Sequence, residues 1–426
     1  MAKRALCILT AVVSLVIGLQ SYVLAQSPSV FGPAKYTRTT GAPNTYSDTF
    51  QICNTGAIYK LLVENGEAGK NRISSAVISL NGQEIIRQNE FSQKVDKIEK
   101  TVSLQQENTL DIKIASGPGG FIKVSVYCVA NCLEIKITSP APSSTINKAR
   151  TLIKGDLYNA FGETGVVLQS SGAGGSVSES AQMQSDNFAG IIPLQQGQNT
   201  ITATATDACG YKTTDAVTIN TQTLDEKIRL TANPESGIPT LRPDGTTSFS
   251  TTIEAEAYLP SPVTGYSWDT KGDGIADQTG ATLSTIQAKY TTPGLYFPTV
   301  TVTDALGITY TETAIINVLD RAAMDALLKA KWEGMKTKLA NQDVEGAVSY
   351  FVSTSQERYR DIFTALSTGL PALVQNMHDI QLIYLKNNAA KYRIRKNELY
   401  GGQTLTITYY IYFEVDNSGI WRIGLF

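Results

Sequence analysis

The stretch Tyr266-Ser-Trp-Asp-Thr-Lys-Gly-Asp-Gly-Ile-Ala-Asp277 constrains the fold more than any other. Trp268 stands near its start and Asp-Gly turns follow at once. A large aromatic inside a thin two-sheet core supplies much of its apolar area. The glycines then bend the chain, because they reach positive φ without a Cβ clash. Pro293-Gly294 makes a second turn, and Tyr296, Val300 and Val302 follow with strand-like alternation. Asp304-Ala-Leu-Gly307 fits a hairpin leading towards Ile315 and Val318. The expectation is a small β-sandwich with Trp268 at its centre.

The same stretch partly matches a calcium loop. Asp269, Asp273, Gly274 and Asp277 fall at the first, fifth, sixth and ninth places of that order. Lys271 stands at the third ligand place, and Gly280 stands where a bidentate Glu belongs. Asp269, Asp273 and Asp277 are therefore candidate calcium ligands, with a plain Asp/Gly turn as the alternative; no other cofactor is expected.

Internal similarity extends the sandwich reading. Thr206-Asp-Ala-Cys-Gly210 matches Thr303-Asp-Ala-Leu-Gly307, and Leu104-Gln-Gln echoes Leu194-Gln-Gln. Recurrence at about a hundred residues is the spacing of stacked sandwich modules.

A chain of 426 residues is too long for one ordinary core, so several domains are expected. With 17% charged residues and a net charge of -2, the composition gives no support to nucleic-acid binding. Met1 to Ala25 reads as a secretory signal: Lys3 and Arg4, an apolar run from Ala5 to Leu19, then Val23 and Ala25 before a cut. No membrane span is expected once it is removed. The expected location is the bacterial periplasm, cell surface or medium. Cys53, Cys128, Cys132 and Cys209 then suggest two disulfides. Three pairings are open; the favoured one joins Cys53 to Cys128 and Cys132 to Cys209, one bridge per domain.

In order, residues 26–46 read as a Ser/Thr/Pro-rich linker and residues 47–130 as a β-sandwich with Asn81-Gly82 as a hairpin turn. Residues 133–221 form a second β unit, in which Ser170 to Ser180 reads as a mobile Gly/Ser loop, and residues 226–319 a third. Residues 320–426 change character. Asp320 can cap a helix with Met324, Leu328, Trp332, Met335 and Leu339 on one face. Thr354-Ser-Gln-Glu357 suits a capping box for another. Alternating strands follow, the longest from Leu405 to Val415.

Three resemblances accompany this reading. The residues around Trp268, Tyr290 to Tyr296 and Val300 to Gly307 resemble the PKD (polycystic kidney disease) domain. Ile135-Lys-Ile-Thr-Ser-Pro140, Leu152-Ile-Lys-Gly155 and Leu194 to Ile201 look like bacterial immunoglobulin-like repeats. The helices-then-strands order and the terminal Gly-Ile-Trp-Arg-Ile resemble the nuclear-transport-factor-2-like (SnoaL-like) cone. Together they imply a mainly β chain: three tandem immunoglobulin-like sandwiches followed by one α+β cone, helices packed on a curved antiparallel sheet.

For function, the cone resemblance brings in enzymes that need a carboxylate or His inside the cone. His378 is the one histidine, so any triad has to use it. No Gly-x-Ser-x-Gly elbow or His-Glu-x-x-His helix occurs. The expectation is thus a non-catalytic exported binding, adhesion or scaffold protein, whose sandwiches space a terminal domain towards a protein or glycan partner at the envelope. The alternatives are an enzyme with its site inside the cone and a structural envelope subunit. A cone interior filled by Trp332, Phe363 and Phe413 argues against the enzyme.

Overall fold

A computed structural model describes residues 29–426; the leader, Met1 to Ala25, lies outside them. The chain is mainly β, in several antiparallel sheets, and among the described residues its α-helices lie in the C-terminal region.

The first unit is two facing four-stranded sheets. One orders strands 29–37, 121–130, 58–65 and 97–102; the other orders 44–51, 107–116, 75–80 and 83–86. Leu61, Val63 and Val126 from the first meet Ile78, Leu110 and Ile112 from the second in one buried core. Residues 29–46 of the expected linker are thus part of this unit. Ser29–Thr37 is an edge strand paired with Phe121–Ala130, with Tyr36 buried opposite Ile122. Its pairing is broken twice by bulges around Phe31 and Ala34, and its exposed positions are Ser29, Gly32, Pro33 and Lys35, so its composition resembles a loop. At Asn81 and Gly82 both φ angles are positive, 53° and 78°, as the tightest hairpin turn requires.

The second unit orders strands 182–184, 187–193, 150–158 and 134–139 in one sheet and 175–180, 164–172, 197–207 and 212–221 in the other. The segment expected to be a mobile loop is a hairpin, with Gly172 opposite Gly175 and Ser170 opposite Val177. Gln195 holds its turn: its side chain accepts from Gly174 N and donates to Gly175 O. Small polar residues suit this strand because every residue of Gly175–Ser180 faces solvent.

The recurring turns have one chemistry. Asp207 Oδ1 accepts the N–H groups of Cys209 and Tyr211 at 3.0 and 2.9 Å. Asp304 Oδ1 does the same for Leu306 and Ile308, both at 2.9 Å. Gly210 and Gly307 follow with φ of 89° and 77°. Asp416 repeats it a third time with Ser418 and Ile420. The Leu-Gln-Gln echo is likewise structural: buried Asn108 and Asn199 each bond back to the backbone of Gln105 and Gln195.

In the third unit Trp268 is fully buried among Ile253, Ile286, Val300 and Val302, and its Nε1 donates to Leu283 O at 2.8 Å. One sheet orders strands 278–280, 263–269, 299–304 and 309–313. The facing one pairs strand 247–257 with 228–233, 240–241 and 285–290.

The C-terminal region begins with helix α1 (Arg321–Ala340), capped by Asp320, whose Oδ1 accepts Ala323 N at 2.7 Å. Leu328, Trp332, Met335 and Leu339 form its buried face. Helices α2 (Val344–Val348), α3 (Ser353–Leu366) and α4 (Leu370–Gln375) follow. The capping box expected at Thr354 does not form: α3 starts at Ser353 with no side-chain cap. Ser355 Oγ instead donates to Gly424 O, and Gln356 Nε2 to Phe351 O, tying the helix start to the sheet and the preceding turn. Four antiparallel strands, Gln381–Lys386, Ala389–Tyr400, Gln403–Val415 and Trp421–Leu425, complete the region.

This sheet does not stop at the expected boundary. Ser236–Gly237, from the third unit, pairs with Gln381–Lys386 on one side and with Ile316–Val318 on the other. With Gly294–Tyr296 beyond them, the sheet has seven strands shared by two units.

The favoured disulfide pairing is overturned. Cys53 bonds Cys209 and Cys128 bonds Cys132, with Cα atoms 5.5 and 5.9 Å apart. The end of strand 44–51 meets the Asp207 turn where the two units abut, and Tyr211 packs on both cores. The long bridge therefore joins units, while the short one closes the bend between them.

Candidate binding surfaces and the cleft between units

The C-terminal interior is filled by aromatic rings. Trp332, Phe351, Phe363 and Phe413 are each at most 1% exposed. Phe351 stacks on Tyr359 at 4.1 Å between centroids, and Phe426 packs edge-on to Trp332 at 5.1 Å. His378 is exposed, and its backbone carbonyl accepts from Trp332 Nε1 at 3.3 Å. Its neighbour Asp379 is also exposed, so the two lie outside this core. The buried phenol of Tyr392 donates to Asp325 Oδ1 at 3.0 Å; burial first, then the Asp325 charge, holds its pKa far above the ordinary range.

The candidate calcium ligands are engaged by their own loop. The two oxygens of Asp269 accept the N–H groups of Lys271, Gly272, Asp273 and Gly274. Asp277 accepts from Lys271 Nζ at 2.8 Å and from the N–H and hydroxyl of Thr270. The Lys271 and Thr270 bonds bring the Asp277 pKa down to about 2. Asp273 Oδ1 accepts Ile275 N at 2.9 Å. Among the described residues, the one cluster of three ligand-type side chains is Cys53, Asp207 and Cys209, and both of its sulfurs are in the disulfide.

The C-terminal sheet carries an aromatic and basic face. Register places Tyr384, Lys391, Tyr412 and Leu425 in one row across four strands, and Gln381, Arg393 and Tyr410 in the next. Tyr384, Tyr410 and Leu425 are exposed. Lys391 Nζ sits 3.9 Å from the Tyr410 ring centre and 5.1 Å from that of Tyr412. The Tyr412 hydroxyl beside it holds the Lys391 ammonium above its ordinary pKa. On the other face Ile411 and Phe413 are buried as the alternation implies, but Leu405 and Tyr409 are exposed. The hairpin runs on past the helices, which is why its apolar face is covered at one end only.

The units are cross-braced. Lys148 Nζ donates to Thr311 O and Glu312 Oε2 between the second and third, at 2.9 and 3.0 Å. Lys154 lies 3.4 Å from the Phe297 ring centre, and burial lowers its pKa. Lys338 of α1 reaches Glu107 of the first unit at 3.3 Å. The strongest brace joins the second unit to the C-terminal region. Glu163 Oε2 lies 2.5 Å from Lys331 Nζ, their side chains 8% and 10% exposed, and Glu163 Oε1 accepts Trp421 N at 2.7 Å. Gly165 permits the approach, since a Cβ there would lie 2.2 Å from Ser418 O.

Beside this brace lies an open cleft of about 510 Å³, walled by the second unit, the end of the third and the start of α1. Sequence reasoning missed it, and missed Glu163, Lys331 and Asn317 with it. Its walls come from three segments, 157–186, 317–327 and 388–421, and no local pattern marks them.

No protein-family model matches this chain, and no curated protein sequence matches it. Solved structures resemble parts of it. The fibronectin(III)-like modules of CbhA from Clostridium thermocellum align at 12% identity over 43% of this chain and 94% of theirs, with a TM-score of 0.17. The tandem Ig repeats of Dlar align at 13% identity over 44% of this chain and 98% of theirs, TM-score 0.20. Dimeric latent PorU from Porphyromonas gingivalis aligns at 9% identity over 67% of this chain, TM-score 0.27; the match spans 32% of PorU. Scores this low carry no argument about arrangement or activity, so the fold rests on the strand pairing described above.

Proposed function

We propose that this chain is a non-catalytic, modular adhesion or scaffold protein of the cell envelope. In this reading the first three units are immunoglobulin-like, the third of PKD type, and the C-terminal region is a nuclear-transport-factor-2-like cone. The sandwiches hold that cone in a fixed position, and its outer sheet face meets a protein or glycan partner. One observation carries the non-catalytic reading: Trp332, Phe351, Phe363 and Phe413 occupy the interior where a cone enzyme keeps its substrate. A general acid or base needs a pocket that a substrate can enter, and His378 stands outside this core. The outer face supplies what binding requires: Tyr384, Tyr410 and Tyr412 offer contact area at low entropic cost, with Lys391 and Arg393 between them.

Two disulfides are compatible with export, as the leader implies. Among the described residues no helix is long and apolar enough to cross a membrane. The test is a glycan array together with crosslinking on intact envelopes, using the wild type and a Y384A/Y410A variant. Loss of binding in the variant, with unchanged circular dichroism, supports the reading. Undiminished binding, or turnover of a candidate substrate that depends on His378, refutes it.

A further inference from the structure

The cleft beside the Glu163–Lys331 brace carries an inference that goes beyond the surface reading. Its volume, about 510 Å³, is within the range of small-molecule sites. Its apolar wall is made by Met183 from the second unit, Met324 and Leu327 from the first turns of α1, and Trp421 from the last strand. Methionines adapt their shape to varied apolar bodies.

Its lining holds two buried polar atoms without a partner. Asn317 is 3% exposed and lines the cleft. Its Nδ2 donates to Gln182 Oε1 at 3.2 Å and to the backbone oxygen of Met183 at 3.1 Å, which fixes the amide orientation. Asn317 Oδ1 is then a buried acceptor with no partner. The hydroxyl of Thr164, another lining residue, is also buried and unpartnered. A buried polar atom left unpaired costs free energy, so two in one cleft call for a group that satisfies them.

Charge narrows the choice. The lining includes Glu163, Asp186 and Asp320 and has no Lys or Arg. Glu163 is neutralised by Lys331. Asp320 offsets the positive end of α1 by capping it. Asp186 lines the cleft, is exposed, and belongs to none of the ion pairs among the described residues. Asp186 is thus the one uncompensated charge in the lining, and together with the unpartnered Asn317 Oδ1 it suits a cation that donates hydrogen bonds.

We propose that this cleft is a binding site for a small organic amine with an apolar body, its ammonium directed to Asn317 Oδ1 and Asp186 and its body against Met183, Met324 and Trp421. The test uses the full chain with 4-phenylbutylamine, and with the alcohol and carboxylic acid of the same skeleton, in isothermal titration. Saturable amine binding about tenfold tighter than the acid is expected, with the alcohol between. Asp186→Asn lies on the surface and leaves the fold intact; it is expected to bring the amine and alcohol affinities within about twofold. Asn317→Ala is expected to weaken both. Three equal affinities, an Asp186→Asn protein that keeps the full amine preference, or no saturation by about 10 mM amine would each overturn the proposal.

Discussion

Removing Lys331 tests whether the C-terminal region is locked to the second unit or merely rests on it. The Lys331 and Glu163 side chains are 10% and 8% exposed and 2.5 Å apart, so solvent does little to screen them. An exposed pair contributes at most about 1 kcal/mol. Breaking a buried pair by removing one partner costs about 3–5 kcal/mol, because the other charge stays desolvated. In Lys331→Met the Glu163 carboxylate keeps only the Trp421 N–H among its bonds across this interface. We therefore expect Lys331→Met to destabilise the docked state by about 3 kcal/mol, which multiplies the open population by about a hundred. The double variant Glu163→Leu/Lys331→Met buries no charge and is expected to recover most of that loss, giving a coupling of about 2 kcal/mol or more. The assay is native-state hydrogen exchange at the Trp421 amide, whose N–H is bonded to Glu163, beside urea unfolding followed by tryptophan fluorescence. If Lys331→Met costs under about 1 kcal/mol and leaves Trp421 protection unchanged, the brace is a surface pair and the argument fails.

Three further outcomes concern the cross-links and the loop. Cys53–Cys209 spans 156 residues and Cys128–Cys132 spans 4, so chain-entropy arguments assign about 5 and about 2 kcal/mol to them. Thermal unfolding of paired serine variants should fall further for the long bridge; equal losses would contradict this. Asp277 has a pKa depressed to about 2, so its contribution is present above the unfolded carboxylate range and lost as pH falls through about 2. Asp277→Asn should therefore flatten the acid limb of the stability profile between about pH 4 and 2, and an unchanged limb would refute it. In the same protein, calcium is expected to leave the melting temperature unaltered, since Asp269 and Asp277 already serve N–H groups and Lys271. A rise that Asp269→Asn abolishes would assign an ion to the loop.

What was legible in the sequence was local. Asn81-Gly82, the Asp207 and Asp304 turns and the Asp320 cap each place a donor within five residues of its acceptor, so spacing alone reveals them. The burial of Trp268 and the alternation at Ile411 and Phe413 were visible for the same reason. Asp416 repeats the Asp turn but lacks the flanking Thr-Asp-Ala letters; a search for Asp-x-x-Gly alone finds it. Contacts between units were not legible. Cys53 meets Cys209 because two modules abut, and nothing near either cysteine encodes that. Ser29–Thr37 and Gly175–Ser180 are edge strands whose outward residues have no apolar partner, so they look like loops. Ser236–Gly237 is too short to show any period. For the candidate sites the same division holds: the Asp269 loop was visible, whereas the cleft needed three units to be assembled.

The two-residue strand Ser236–Gly237 has a mechanical consequence. It is hydrogen-bonded between the last strand of the third unit and the first of the C-terminal sheet. The third unit and the C-terminal region are therefore joined by backbone pairing, Gly237 to Lys386 and Ser236–Gly237 to Asn317–Val318, as well as by the covalent chain at Leu319 and Asp320. Cutting the chain there would leave both fragments with a raw sheet edge.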